Sequence, residues 1–229
     1  MIGAPHVHHR VTDSTNERAR ALAEAGAPHG TVVTAGEQTA GRGRQGRTWT
    51  AAPGEALLLS AIVRGLEPRH ALLPLMAALA VCEAAEAVAS VSCRIKWPND
   101  VWVERRKVSG ILVEARPAAG WAVVGIGLNT GVTSFPDELR DTATSLSLGR
   151  AEEALEPLTT ALERWTSAGE SEVLLAWRER DALEGQQVRW ADGEGIARGI
   201  DDTGSLLVET ATGEIALGAG EVHLLGPRA

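Results

Sequence analysis

Cysteine is scarce: the 229 residues hold two, Cys82 and Cys93. They form no CxxC and give no disulfide framework. Lying in an apolar helix and a strand, both read as core thiols. No G-x-S-x-G occurs and no Cys–His pairing is readable, so covalent nucleophilic catalysis lacks a candidate. Positive charge is also short, with a formal net charge of −8, so the chain as a whole is not a nucleic-acid binder. Long apolar runs are missing. The longest without a charge, Ala71–Cys82, is too short to span a bilayer, and no basic segment followed by an apolar stretch opens the chain. Repeats and low-complexity linkers are absent. A cytosolic globular protein is the expectation, consistent with 44% hydrophobic and 23% charged residues. The length allows one sizeable domain, or one plus a small appendage.

What is present begins with a pattern that raises a question. GRGRQG at 41–46 fits the G-x-G-x-x-G spacing of a dinucleotide loop. That fingerprint needs a helix directly after the glycines, to carry the pyrophosphate on its N-terminus. Here RTWT and then Pro53-Gly54 follow, poor helix material. Glu67 has the spacing of the required acid but sits in a turn before Pro68. Arg42, Arg44 and Arg47 instead make a basic cluster on an acidic chain. Glycine gives conformational freedom and arginine gives bidentate donors to phosphate or carboxylate. The stretch reads as a strap that closes over a small anion, or as a mobile basic surface loop.

Local patterning predicts a helix from Ser14 to about Ala25, with Ser14 and Glu17 as a capping box and Gly26 as the stop. Strands are expected at 31–37, 56–63, 91–97 and 121–127, and a long buried helix over 68–89. Residues 101–104 and 111–115 read as a hairpin with 105–107 near its turn. Two helices follow, over about 152–168 and 172–183. After Leu183 the texture changes to short strands at 187–191, 196–200, 206–210 and 214–217, parted by Gly- and Asp-rich turns, the pattern of a small barrel. The fold class is α+β: a mixed β-sheet with flanking helices over 1–183, then a small β-barrel over 184–229.

Several constellations carry possible chemistry. KWPND (96–100) places Lys96, Asn99 and Asp100 around a proline turn, suited to phosphate oxygens and Mg²⁺, or simply a capped β-turn. In KVSGILVE, Lys107 lies beside Gly110, a place for close ligand approach, or for a hairpin-turn lysine. GIGLN (125–129) ends a strand with Gly125 and Asn129, again for close approach or a bulge. Ser14, Thr15 and Asn16 could bind a neutral polar ligand or cap a helix. Gln38 both donates and accepts, which suits an amide or urea. His6 and His8 would share a strand face, but no third metal ligand lies near.

In this order, STN (14–16), EQTAGRGRQGRTW (37–49), KWPND, KVSGILVE and GIGLN together resemble the biotin protein ligases, over about Ser14 to Asn129. The β-rich tail is similar to the SH3-like domain of that family. The resemblance implies a class II synthetase-like catalytic fold and two reactions: biotin and MgATP give biotinyl-5′-AMP and pyrophosphate, then biotin passes to a lysine of a biotin carboxyl carrier protein, as in acyl-CoA carboxylases. With about a dozen residues before STN, the chain looks like a monofunctional ligase without the DNA-binding domain of repressor-type members. No DNA or membrane partner is expected, and an exposed sheet edge could pair two protomers.

Carried across, the resemblance assigns Ser14, Thr15, Asn16 and Gln38 to biotin, together with Gly41, Arg42, Gly43, Arg44, Gly110 and Gly125. Lys107 would contact the biotin carboxylate and α-phosphate as the main electrophilic stabiliser. With Lys107, Arg44 and Asp100 complete the catalytic set. Arg42, Arg44, Arg47, Trp49, Lys96, Asn99, Lys107 and Asn129 would serve ATP, with Trp49 an apolar wall and Asp100 for Mg²⁺ or the incoming lysine. TATSL (142–146) is the only indication of an adenine contact. Two rivals stand beside this. One is a lipoate ligase or octanoyl transferase of the same fold, for which octanoyl transfer would want a cysteine near a lysine. The other is a non-enzymatic biotin binder, which needs neither the strap nor Lys107.

Overall fold

The computed structural model describes residues 1–225. A seven-stranded mixed sheet is built from β1 (His6–His9), β2 (Val32–Ala35), β3 (Ala56–Arg64), β4 (Cys93–Lys96), β5 (Asp100–Val103), β6 (Arg106–Arg116) and β7 (Trp121–Asn129). Its order is β1-β2-β3-β7-β6-β5-β4. Only β1 and β2 pair in parallel; the other neighbours are antiparallel.

β3 and β7 form the centre, and nearly every one of their residues is buried. Alternation then divides them between two faces. Leu57, Leu59 and Ala61 of β3 and Val124, Ile126 and Leu128 of β7 meet the large core under α2 (Leu73–Val88), α3 (Leu155–Ser167) and α4 (Glu170–Glu179). Ile62 and Val123 turn the other way and pack with Val33, Ala19 and Ala23, under α1 (Thr15–Glu24). Past α1, this second face is open and forms the floor of a cleft.

The expected helix over 68–89 starts as a 3₁₀ turn over Pro68–Leu72 and becomes α-helical at Leu73. Pro74 in the first turn of α2 has no N–H to donate and is tolerated only there. Pro68–Val88 as a whole is long and apolar enough to cross a bilayer, but it is mostly buried inside the protein. Its composition serves packing on both sides. The capping box predicted at Ser14 and Glu17 does not form. Ser14 is the N-cap residue without a side-chain capping bond, and Glu17 pairs with Arg20 and Arg42 instead. β1 was not foreseen as a strand. His6 Nε2 and His8 Nδ1 lie 2.7 and 2.9 Å from Thr34 Oγ1, and no group of three metal-ligating side chains exists among the described residues.

The tail folds as an antiparallel sheet of β8 (Gln187–Trp190), β9 (Gly193–Ile200), β10 (Leu206–Thr210), β11 (Gly213–Leu217) and β12 (His223–Leu224), in the order β11-β10-β9-β8-β12. Its end strands β11 and β12 are not paired with each other among the described residues, so the expected barrel is not closed. Its core residues Val188, Ala197, Leu206 and Val208 are continuous with the core under α2. One tie joins the segment leading into it to the larger sheet, and another joins its β9–β10 turn to the residue after β4. Ile95 of β4 bridges to Asp181, just past α4. The buried Trp97 donates from Nε1 to the Gly204 carbonyl at 3.0 Å. Gly204 holds φ +80, and a Cβ there would lie 2.9 Å from Leu75 and 3.0 Å from Leu72.

Candidate active site

A cleft of about 770 Å³ opens on the sheet face away from α2. Its walls are the start of α1, the strap, the β5–β6 hairpin, the segment 132–143 and the end of the tail. Every side chain assigned from the sequence borders it, except Gly41, which lies buried behind the strap.

One end is neutral and polar. Ser14, Thr15 and Asn16 are buried there. Thr15 donates to Gln38 Oε1 from its backbone N at 2.7 Å and from Oγ1 at 3.0 Å. The Gln38 carbonyl is therefore engaged, and its amide NH₂ remains as a donor. Asn16 is a wall rather than a free contact. Its Nδ2 donates to Glu114 Oε2 at 2.9 Å, and its Oδ1 lies 2.6 Å from Ser60 Oγ. A Cβ on Gly125 would sit 1.9 Å from that Oδ1. The close approach expected at Gly125 is thus made by the protein's own Asn16. No bulge interrupts β7, whose register with β3 and β6 is continuous.

The strap is neither a dinucleotide loop nor a free surface loop. Gly41 is required because a Cβ there would lie 2.3 Å from the Trp49 carbonyl oxygen. A single 3₁₀ turn, Arg44–Gly46, follows, with Gln45 at φ 55. All three guanidiniums are docked. Arg42 pairs with Glu17 and, at 3.2 Å, with Glu114. Arg44 donates to Asn99 Oδ1 at 3.1 Å and to the Gly220 carbonyl at 3.2 Å. Arg47 donates to Glu221 Oε1 at 2.6 Å. Desolvation pulls the Arg44 pKa down, against the opposing pull of Asp100.

At the centre stands Lys107, and its position depends on a bulge. Trp102 pairs with Lys107 but Val101 pairs with Ser109, so Val108 is an extra residue in β6. Val108 is in the core, while Lys107 borders the cleft together with Gly110. Without the extra residue, alternation would turn Lys107 to the same side as Ser109, away from the cleft. Lys107 is therefore a strand residue re-aimed by a bulge, not the turn lysine that the hairpin pattern suggests. Its Nζ lies 2.7 Å from Asp100 Oδ1 and 5.7 Å from the Trp49 ring centre. The Trp49 ring occupies the space where Cβ atoms on Gly127 and Gly110 would be, at 2.4 and 2.9 Å. Its Nε1 is buried without a partner, an orphan donor in the wall of a binding cleft.

Lys96 sits over Trp102 at 5.7 Å. Burial lowers its pKa, against Asp100 and Glu221, which raise it. Asn99 pins the KWPND turn by donating to the Ile111 carbonyl at 2.9 Å. Asn129 donates to the Thr144 carbonyl at 3.0 Å, so it fastens the TATSL segment, of which Thr142 and Ala143 reach the cleft. Asp100 is the only carboxylate of the KWPND motif. Mg²⁺ brought in on a nucleotide usually takes one or two carboxylates plus phosphate oxygens and water, a role Asp100 fits.

The sequence did not point to Glu221, Glu114, Ser60, Trp102, Arg105 or His223. Glu221 lies 174 positions from its partner Arg47, and no local pattern links them. Ser60 and Glu114 lie on β3 and β6, and their bonds to Asn16 join separate elements that no local pattern links.

Residues 8–130 match the biotin/lipoate A/B protein ligase family, and residues 185–225 match the biotin protein ligase C-terminal domain. A biotin--[acetyl-CoA-carboxylase] ligase of Mycobacterium tuberculosis is 37% identical over 93% of this chain and 86% of its own length. The bifunctional ligase/repressor BirA of Bacillus subtilis is 35% identical over 98% of this chain and 75% of its own length. Among solved structures, the biotin protein ligase of Aquifex aeolicus in complex with biotin and ATP superposes with a TM-score of 0.80 at 30% identity. That comparison covers 97% of this chain and 99% of the Aquifex chain.

Proposed function

The chain belongs to the biotin/lipoate A/B protein ligase family, and from that premise we propose that it works in this cleft as an ATP-dependent biotin protein ligase. A carboxylate oxygen of biotin attacks the α-phosphorus of ATP, the bond to the β-phosphate breaks, and pyrophosphate leaves. The amine of a carrier-protein lysine then attacks the biotinyl carbonyl carbon, AMP departs and the amine loses its proton.

The observation that carries this reading is Lys107. It stands between a neutral hydrogen-bonding end and a cationic end of one cleft. Ser14, Thr15 and the Gln38 amide suit the ureido ring of biotin, with Asn16 and Gly125 shaping the wall behind. Lys107, with Arg44, stabilises the charge that develops when carboxylate and α-phosphate meet. Arg42, Gly43 and Arg44 close over the adenylate and keep water from the anhydride. Arg47, Lys96 and Asn99 suit the nucleotide. Trp49 walls the reacting centre and offers its orphan Nε1–H to a ligand oxygen. Asn129 acts through the segment it fastens. Asp100 orients Lys107 and is placed to meet Mg²⁺ or the acceptor amine. With no covalent enzyme intermediate, positioning supplies much of the acceleration.

Octanoyl transfer through a cysteine is disfavoured, because Cys82 and Cys93 are buried in the core under α2 and do not border the cleft. The acceptor is the biotin carboxyl carrier domain of an acyl-CoA carboxylase, met in the cytoplasm. We read the tail sheet as an SH3-like unit that begins near Leu183, and the free edge of β1 as a place for a second protomer. The test of function is incubation with biotin, MgATP and a carrier domain, followed by mass spectrometry of the carrier. A carrier that gains no biotinyl group refutes the reading.

A further inference from the structure

The β5–β6 hairpin closes with Val103 opposite Arg106, leaving a two-residue turn of Glu104 and Arg105. Both have left-handed backbones, at φ 49 and φ 62. Such turns favour Asn-Gly, because a side chain in this region strains the backbone. Strain of this kind clusters at active sites and ligand clamps. Glu104 is spent on Arg106, at 3.2 Å. Arg105 borders the cleft and, among the described residues, has no hydrogen bond or ion pair. That sets it apart from the other arginines of the cleft: Arg42, Arg44 and Arg47 are all docked on protein oxygens.

Charge balance says what such a group awaits. Lys107 is matched by Asp100 and Arg47 by Glu221, so these pairs contribute little net charge to a polyanion. A nucleoside triphosphate brings roughly four negative charges, which must meet cations not already neutralised. Arg44, Lys96 and Arg105 are the cleft cations without a carboxylate in ion-pair contact; Arg44 is held by the Asn99 and Gly220 oxygens, whereas the Arg105 side chain has no protein partner among the described residues. We propose that Arg105 is a binding residue for the terminal phosphates of the nucleotide, and so for the pyrophosphate that leaves. This rests on the ligase reading for the identity of the nucleotide.

Calorimetric binding of ATP and of inorganic pyrophosphate to the whole chain tests it. Arg105→Gly relieves the strained turn, so its melting temperature rises. It nevertheless loses roughly tenfold to a hundredfold in affinity for both ligands, the range for a charge-assisted contact, with biotin affinity unchanged. Arg105→Lys keeps part of the affinity. Equal affinity for both ligands in Arg105→Gly overturns the proposal. So does a variant that binds both normally but is slow only in passing preformed biotinyl-AMP to the carrier, which would place Arg105 on the acceptor surface. A wild-type chain that binds ATP but releases no pyrophosphate with biotin would sink the ligase reading and leave the Arg105 assignment standing on the binding data.

Discussion

Arg47 Nη1 lies 2.6 Å from Glu221 Oε1, so the strap is fastened to the tail. Arg44 reinforces the tie through the Gly220 carbonyl. The pair is partly exposed, which limits it to about 1 kcal/mol, enough to hold a loop and weak enough to exchange for phosphate. Glu221→Gln should therefore leave the melting temperature nearly unchanged and speed trypsin cleavage at Arg44 and Arg47 a few-fold. Biotin with MgATP should restore protection. Cleavage at the wild-type rate would mean that the tail does not restrain the strap.

Lys107→Ala should lower the rate of adenylate formation by about 10²–10³, the usual loss for removing one charge-stabilising donor. The fold should persist, since Val108 and Ser109 rather than Lys107 fill the core. Biotin-dependent pyrophosphate release checks the first part and circular dichroism the second. Undiminished release would remove Lys107 from the chemistry.

Arg44→Gly takes away the contacts to Asn99 and Gly220 together. Biotinyl-AMP should then escape, and lysines of an unrelated protein added to the reaction should become labelled. Confinement of label to the carrier domain would contradict closure by the strap.

Asp181 links stability to pH. Desolvation is the main cause that raises its pKa to about 6, with Glu184 adding to it and the Leu183 and Glu184 amides and Arg94 opposing. An acid raised in the folded state favours its protonated form there. Its effect is thus absent below about pH 4, where an unperturbed Asp titrates, and destabilising as pH climbs through about 6. Asp181→Asn should match the wild type near pH 4 in urea unfolding and exceed it above pH 7, by at most about 3 kcal/mol. A stability gap that does not change with pH would refute the assignment.

How much could be read in advance differs from residue to residue. β3 and β7 are legible because uncharged, strand-length apolar stretches leave few alternatives, and the cleft's neutral end because STN and Gln38 are short-range signals. Lys107 borders the cleft from within β6, not from the hairpin turn where the local pattern puts it. A hairpin turn follows from local residues, but a bulge at Val108 is decided by pairing with β5, which no pattern in β6 announces. Asn16 and Gly125 both border the cleft, but their contact joins separate elements, so no local pattern announces it. Ser14 and Glu17 fit a capping box on spacing alone, and Arg20 and Arg42 outcompeted it for the carboxylate. β1 was missed because its pairing partner β2 lies beyond α1.

The indole of Trp97 and its acceptor at Gly204 also bear on handling the enzyme in the laboratory. If the chain were cut after Leu183, a tryptophan of the KWPND motif would lose its cover, and Leu72 and Leu75 would be left bare beside it. Such a fragment would be sticky: it should precipitate or be captured by chaperones. Fusion partners and affinity tags are therefore better attached at the chain ends than inserted at this joint.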